Sequence, residues 1–218
     1  AERRTGHKVT VTFNVRHMPY IMRAKEILRS GVIGEILSVD MEWLLDRSHG
    51  ASYFRRWHRM LANSGGLLVH KATHHFDMIN WLIEAEPKTV FAQGALRVYG
   101  RAHPEHGQRC YGCPHARTCE FYWDASAQLR ARQLYIDNES ADGYHIDGCV
   151  FDPAIDIYDT MSANVCYTNG VQLSYSLNAH RPWEGWTMAL NGRLGRMEIG
   201  EFHSGLSAND PNQHITVY

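Results

Sequence analysis

Met161-Ser162-Ala163-Asn164-Val165-Cys166-Tyr167-Thr168-Asn169-Gly170-Val171-Gln172-Leu173-Ser174-Tyr175-Ser176-Leu177 is the stretch that decides the architecture. Met161, Ala163, Val165 and Tyr167 alternate with polar neighbours, and Val171, Leu173, Tyr175 and Leu177 do so again beyond Thr168-Asn169-Gly170. Successive side chains of a strand point to opposite faces, so a period of two marks a strand with one buried face. Asn-Gly between two such runs supplies the hairpin turn. The stretch therefore predicts an antiparallel pair that buries one face against other elements.

Towards the C-terminus, a turn at Asn191-Gly192 and the segment Gly195-Arg196-Met197-Glu198-Ile199 predict two more strands of the same sheet. Towards the N-terminus, Leu37, Val39, Met41 and Trp43 share one face of a strand whose other face carries Ser38, Asp40 and Glu42, and Thr89 to Val98 predicts another. Val9 to Val15 alternates in strand fashion. Helical spacing runs from Pro19 through Tyr20, Ala24, Ile27 and Leu28 to Gly31, and a second helix is expected to begin between Leu68 and His74 and to continue through Trp81 and Ile83. Leu45 to Gly66 shows no period and is expected to be an irregular loop of the kind that carries binding residues. Between Tyr99 and Asp156 there is again no period, but there are four cysteines, as expected of a loop-rich insertion. The predicted class is α+β: an open, largely antiparallel sheet with helices on one face.

Lys+Arg 22 against Asp+Glu 23 in 218 residues gives a formal net charge of -1. No field of one sign extends from such a chain, so neither nucleic acid nor an anionic membrane is suggested as a partner. No apolar stretch approaches the roughly 20 residues that span a bilayer, and Ala1-Glu2-Arg3-Arg4 lacks the apolar segment of a signal peptide. A cytoplasmic location is expected. Fourteen His, six Trp and eleven Tyr combine apolar area with polar tips, which suits the lining of a sugar pocket.

Cys110, Cys113, Cys119 and Cys149 could give four thiolates to a structural zinc that staples the insertion. An iron-sulfur cluster uses the same ligands, and disulfides or incidental thiols are the plainer alternatives. Cys166, in mid-strand, is expected to be a small buried apolar residue. Further along the helical pattern, His70, His74 and Asp77 stand at i, i+4 and i+7, and a continuous helix would place all three on one face as part of a metal site for lyase or hydrolase chemistry. Asp77 could equally orient the His74 ring. Lys71 is placed to stabilise a developing alkoxide, and His75, on the other side of the helix, is expected to pack. Arg16, Trp57, His58, His180, Arg181 and Trp183 are weaker candidates for binding sugar hydroxyls and ring faces.

The run Phe13-Asn14-Val15-Arg16-His17-Met18-Pro19, continued by Gly31-Val32-Ile33-Gly34-Glu35, resembles the interdomain junction of the Gfo/Idh/MocA oxidoreductases. Gly65-Gly66-Leu67-Leu68-Val69-His70-Lys71-Ala72-Thr73-His74-His75-Phe76-Asp77 is similar to the substrate-domain signature of that family, and Gly192-Arg193-Leu194-Gly195-Arg196-Met197-Glu198 also fits. His74 falls on the family's catalytic histidine; His70 stands where an Asp is usual and Ala72 where a Gly is usual. The resemblance implies an enzyme that oxidises a hydroxyl of a sugar, glycoside or cyclitol with NAD or NADP, with His74 as base, Lys71 and His70 beside it, and Arg16, Trp57, His58, Asp77 and His180 against the substrate. It implies a subgroup with a cysteine-bearing insertion at about 99–156. Residues 1–13 are then expected to be the tail of a Rossmann domain, and 14–218 the substrate domain. No G-x-G-x-x-G occurs in the sequence, so the nucleotide fingerprint is expected in a domain outside it. A non-enzymatic carbohydrate-binding or assembly module is the alternative function. Homo-oligomers through the sheet face are expected.

Overall fold

The computed structural model describes residues 2–102, 106–205, 208 and 215–218. Its strands are β1 (Ile36–Asp46), β2 (Pro87–Ala95), β3 (Thr160–Tyr167), β4 (Gln172–Arg181), β5 (Gly185–Gly192), β6 (Arg196–Phe202) and β7 (Ile215–Val217). They form one sheet in the order β2-β3-β4-β1-β5-β6-β7. β1 and β4 run parallel and every other pair is antiparallel. The deciding hairpin forms as expected: Met161 lies opposite Leu177 and Val165 opposite Leu173, so the apolar residues of both strands share one face. The strand predicted from Gly195 forms as β6, with the turn at 193–195 rather than at Asn191-Gly192, which belong to β5.

The helices are α1 (Glu2–Thr5), α2 (Pro19–Arg29), α3 (Arg47–Arg55), α4 (Leu61–Ser64), α5 (Leu67–His70), α6 (Thr73–Ile83), α7 (Leu129–Leu134) and α8 (Glu139–Asp142). The core joins Ile21 and Ala24 of α2, Phe54 of α3, and Met78, Ile79 and Leu82 of α6 to Val39, Met41, Leu173, Leu177, Trp186 and Leu190 of the sheet. The class is α+β with an open, mostly antiparallel sheet, as the alternation predicts.

Three local expectations are corrected. Val9 to Val15 is not a strand: residues 8–12 are exposed without regular structure, and Asn14–His17 is a 3-10 turn, because no neighbouring strand offers them a ladder. Leu45 to Gly66 is not irregular. β1 extends to Asp46, whose carboxylate caps α3 by accepting the His49 N–H at 2.8 Å, and α3, a 3-10 turn at Trp57–Arg59 and α4 follow. Gly50 allows this helix to lie directly on β4, since a Cβ there would stand 1.8 Å from the Ala179 carbonyl oxygen. Finally, the second helix forms as α6, which starts at Thr73 within the expected window, but the helical spacing read across His70, His74 and Asp77 is not one helix, since α5 ends at His70 and Lys71-Ala72 interrupts.

The expected insertion leaves the sheet after β2 and returns at β3. Residues 103–105 of it lie outside the described residues. Its neck is closed by Asp159, fully buried, which accepts N–H bonds from Arg97, Val98 and Tyr99 at 2.7–3.1 Å. Inside it, Arg109 pairs with Glu139 and with the buried Asp147, and Ala125, Ala131 and Ile146 form a small apolar cluster. Phe121 and Phe151 extend the main core into it through Tyr99, which stacks on Phe54.

Candidate functional site

The interruption between α5 and α6 shapes the site. Gly65 and Gly66 take positive φ (70° and 75°) and turn the chain into α5, and fully buried Ala72 holds the break against the core. Lys71 places its ammonium 5.4 Å from the centre of the Trp43 ring. Trp43 comes from β1, stacks on His75 (ring centres 3.7 Å apart) and on Trp186 (5.7 Å). His75 is buried and its Nδ1 lies 2.7 Å from the Tyr175 hydroxyl, so it packs, as expected. His74, half-buried, meets Phe13 edge-on, and its Nδ1 is buried with no hydrogen-bond partner among the described residues.

His70 belongs to a second cluster. Its ring centre is 4.5 Å from that of His58, 5.6 Å from Trp57 and 5.9 Å from Tyr53. Tyr53 lies one turn from His49 on α3, its hydroxyl 3.3 Å from His49 Nε2, and His49 Nδ1 is 2.8 Å from the Glu184 carboxylate. The site thus has a wall of imidazoles and aromatic rings, one ammonium and one carboxylate.

Burial decides most of the charge states. It draws the Lys71 ammonium below the ordinary lysine value, with Glu184 opposing. It lowers His70 too, aided by the charges of Lys71 and His74, and it brings His58 down to about 4, aided by His70 and Arg56. Burial by itself would raise the Glu184 carboxyl, but the bond from His49, the charge of His49 and that of Lys71 carry it below the usual range. At neutral pH His58 is therefore uncharged and Glu184 ionised, an arrangement able to accept a proton from a hydroxyl held near Lys71.

Of the expected site residues, His70, Lys71, His74, Trp57 and His58 come together here. Asp77 does not orient His74: both its oxygens are taken by Arg16, which forms a bidentate ion pair with it from the 3-10 turn. Because the helix breaks at Lys71-Ala72, His70, His74 and Asp77 do not share one helical face, and the metal reading of that triplet fails. His180 lies elsewhere. It continues the series Ser174 and Ser176, which faces the open side of β4, and its Nε2 is 3.2 Å from the Thr160 hydroxyl. Arg181 stacks over Trp183 at 5.4 Å.

The zinc expectation gains no support among the described residues. All five cysteines are free, and among the described residues no group of three or more His, Cys, Asp or Glu side chains is arranged to hold a metal. Burial raises the Cys110 and Cys149 thiols, with neighbouring cysteines adding to the shift, and the Cys110 sulfur accepts a hydrogen bond from Arg55 at 3.1 Å. The ion pairs and apolar contacts described above help to hold the insertion. Cys166 is half-buried rather than buried, with the Gln172 amide 3.2 Å from its sulfur.

The residues missed in the sequence are His49, Tyr53, Glu184 and Trp43. Asp46 before Arg47-Ser48-His49 is a helix-start signal that could have placed His49 and Tyr53 on one face. A concavity of about 710 Å3 lies away from all of this on the open face of the sheet and has no His, Lys or Cys in its lining.

Comparison with known proteins adds the lineage. The model of the oxidoreductase family C-terminal alpha/beta domain, Gfo/Idh/MocA type, matches residues 25–217. The YteT protein of Bacillus subtilis (strain 168) is 42% identical over 100% of this chain and 54% of its own length. Among solved structures, the WlbA dehydrogenase of Bordetella pertussis, in complex with NADH and UDP-GlcNAcA, superposes with a TM-score of 0.59 at 16% identity, over 97% of this chain and 48% of its own. The aldose-aldose oxidoreductase of Caulobacter crescentus, complexed with glycerol, gives 0.57 at 13% identity, over 99% of this chain and 45% of its own. The chain spans about half the length of these relatives. With the fold and the family model in agreement over nearly its whole length, the chain belongs to the Gfo/Idh/MocA oxidoreductase family, whose C-terminal alpha/beta domain it comprises.

Proposed function

We propose that this chain is the substrate-side domain of an NAD- or NADP-dependent oxidoreductase acting on a hydroxyl of a sugar, glycoside or cyclitol. The observation that supports it most is the break between α5 and α6, which sets Lys71 over Trp43 and leaves His74 Nδ1 buried without a partner among the described residues. In this reading His74 takes the hydroxyl proton. Lys71, drawn towards neutrality by burial, donates a hydrogen bond to the oxygen as negative charge develops on it. His70, Trp57 and His58 form the wall against which the ring lies, and Glu184 with His49 fixes the field around Lys71. Arg16 and Asp77 spend their charges on each other and are given no step in the reaction. Nicotinamide supplies the hydride acceptor. No glycine-rich strand-turn-helix that could cradle its pyrophosphate is present among the described residues, so no residue of this chain is assigned to it. Residues 1–13 are the end of the domain that would hold it, and copies assemble through the open face of the sheet.

His74→Ala in the natural protein tests this. With NAD or NADP and a panel of sugars and cyclitols, kcat is expected to fall by about 10²–10⁴ with little change in thermal midpoint. An unchanged kcat would favour a carbohydrate-binding module instead.

A further inference from the structure

A second cavity, about 430 Å3, lies between α3 and the insertion, and its charge is not neutralised by the fold. Ser52, Arg55 and Arg56 line it from the helix, and Phe121 and Trp123 from the insertion. Arg55 is only 7% exposed, yet its guanidinium donates to the Cys110 sulfur and the Phe121 carbonyl, neither of which is a carboxylate. Arg56 has its Nε buried with no partner and stands 6.0 Å from the Tyr135 ring centre. Among the described residues neither arginine has a carboxylate within ion-pair distance, whereas nearby Arg47 pairs with Glu120 at 2.5 Å and Arg59 with Asp152 at 3.0 Å. Withdrawing a cation from water without a counter-ion is costly, so such a pair of guanidinium groups is a ready receptor for an anion.

The nature of that anion follows from the walls. Arg55 has donors committed to the protein, Arg47 is already balanced by Glu120, and Glu120 itself lines the cavity, so the open charge suits a monoanion better than a dianion. A planar guanidinium fork matches a carboxylate. Trp123 and Phe121 supply the apolar surface on which a pyranose ring can lie. The cavity also adjoins the reaction site: Arg56 directly follows α3, which carries His49 and Tyr53, and the charge of Arg56 is felt at both His58 and Tyr53.

We propose that this cavity binds the carboxylate of an acidic sugar unit through Arg56 and Arg55, making the substrate class acidic glycosides rather than neutral sugars. The link to a substrate rests on the function proposed above; the binding itself does not.

Calorimetric titration of the natural protein with D-glucuronate, D-glucose and glucose 6-phosphate, repeated with Arg56→Gln, separates the two. Saturable binding of glucuronate, at least tenfold weaker in the variant and absent for glucose, is expected. Arg56→Lys should fall between, since it keeps the charge and loses the fork, and it serves also where Arg56→Gln does not fold. Equal affinity for glucose and glucuronate, glucuronate affinity indifferent to either substitution, or a preference for glucose 6-phosphate would overturn the assignment. If glucuronate binds as expected but no glycoside is oxidised with either nucleotide, the cavity stands and the proposed function falls.

Discussion

The two faces of the sheet are made from the same strands and differ in almost everything else. On the covered face Trp43, Tyr175 and Trp186 are at most 7% exposed and touch α2, α3 and α6 or one another. On the open face Asp40, Glu42, Ser162, Asn164, Ser174 and Thr187 stand exposed along the same strands. The imidazoles His58, His70 and His75 lie towards the covered side, where burial lowers them; the concavity of the open face, though about 710 Å3, has no imidazole, lysine or cysteine in its lining. The contrast shows why the size of a hollow is a poor guide to chemistry here. A reaction site needs groups whose protonation is shifted, and shifts come from desolvation and close charges.

The sharpest way to break the comparison is to cut away the floor of the covered side. Trp43→Ala removes the surface under both Lys71 and His75 and is expected to cost about 3–5 kcal/mol in chemical denaturation, the range for deleting a large buried aromatic. A loss under 1 kcal/mol would mean that Trp43 serves the site and not the fold. A middle-sized effect comes from acid. His58, held down at about 4 against an ordinary 6.5, is neutral in the folded chain and protonates more readily when unfolded. Its contribution is therefore fully present above pH 6.5 and is lost as the pH falls from 6.5 towards 4, and buried His75 acts in the same direction. The thermal midpoint followed by circular dichroism should decline across that window, and His58→Gln should flatten the decline. A wild-type midpoint constant from pH 6.5 to 4 would show that His58 is solvated.

Much of this was legible in the sequence, for physical reasons. The hairpin at 160–181 could be read because one face is dry and the other wet, which imposes a strict period of two. His74 could be read because it falls in an ordered signature. α3 could not, because Gly50 in mid-helix has the look of a loop residue when its real cause, contact with Ala179, lies 129 positions away. His49 and Glu184 are equally invisible as a pair, being 135 residues apart. The cysteine pattern is ambiguous because a C-x-x-C spacing is also what an ordinary turn produces; Cys113 N–H donates to the Cys110 carbonyl at 3.0 Å. Nor does helical spacing across 70–77 survive a break that only the packing of Ala72 enforces.

The smallest expected effect sharpens the other half of the contrast. Ser174 is exposed on β4, flanked on the same face by Asp40 of β1 and Asn164 of β3, its partners in register. Its hydroxyl leaves water for nothing within the chain, so Ser174→Ala should change stability by less than about 0.5 kcal/mol in dilute solution. The informative variable is protein concentration. If a second copy covers this face, wild type gains stability by mass action as concentration rises, and a substitution at the contact makes the two midpoints diverge with concentration. If the face remains in water, the difference between Ser174 and Ala stays flat from micromolar to near-millimolar protein, and the open side of the sheet is then a solvent surface and not an assembly surface.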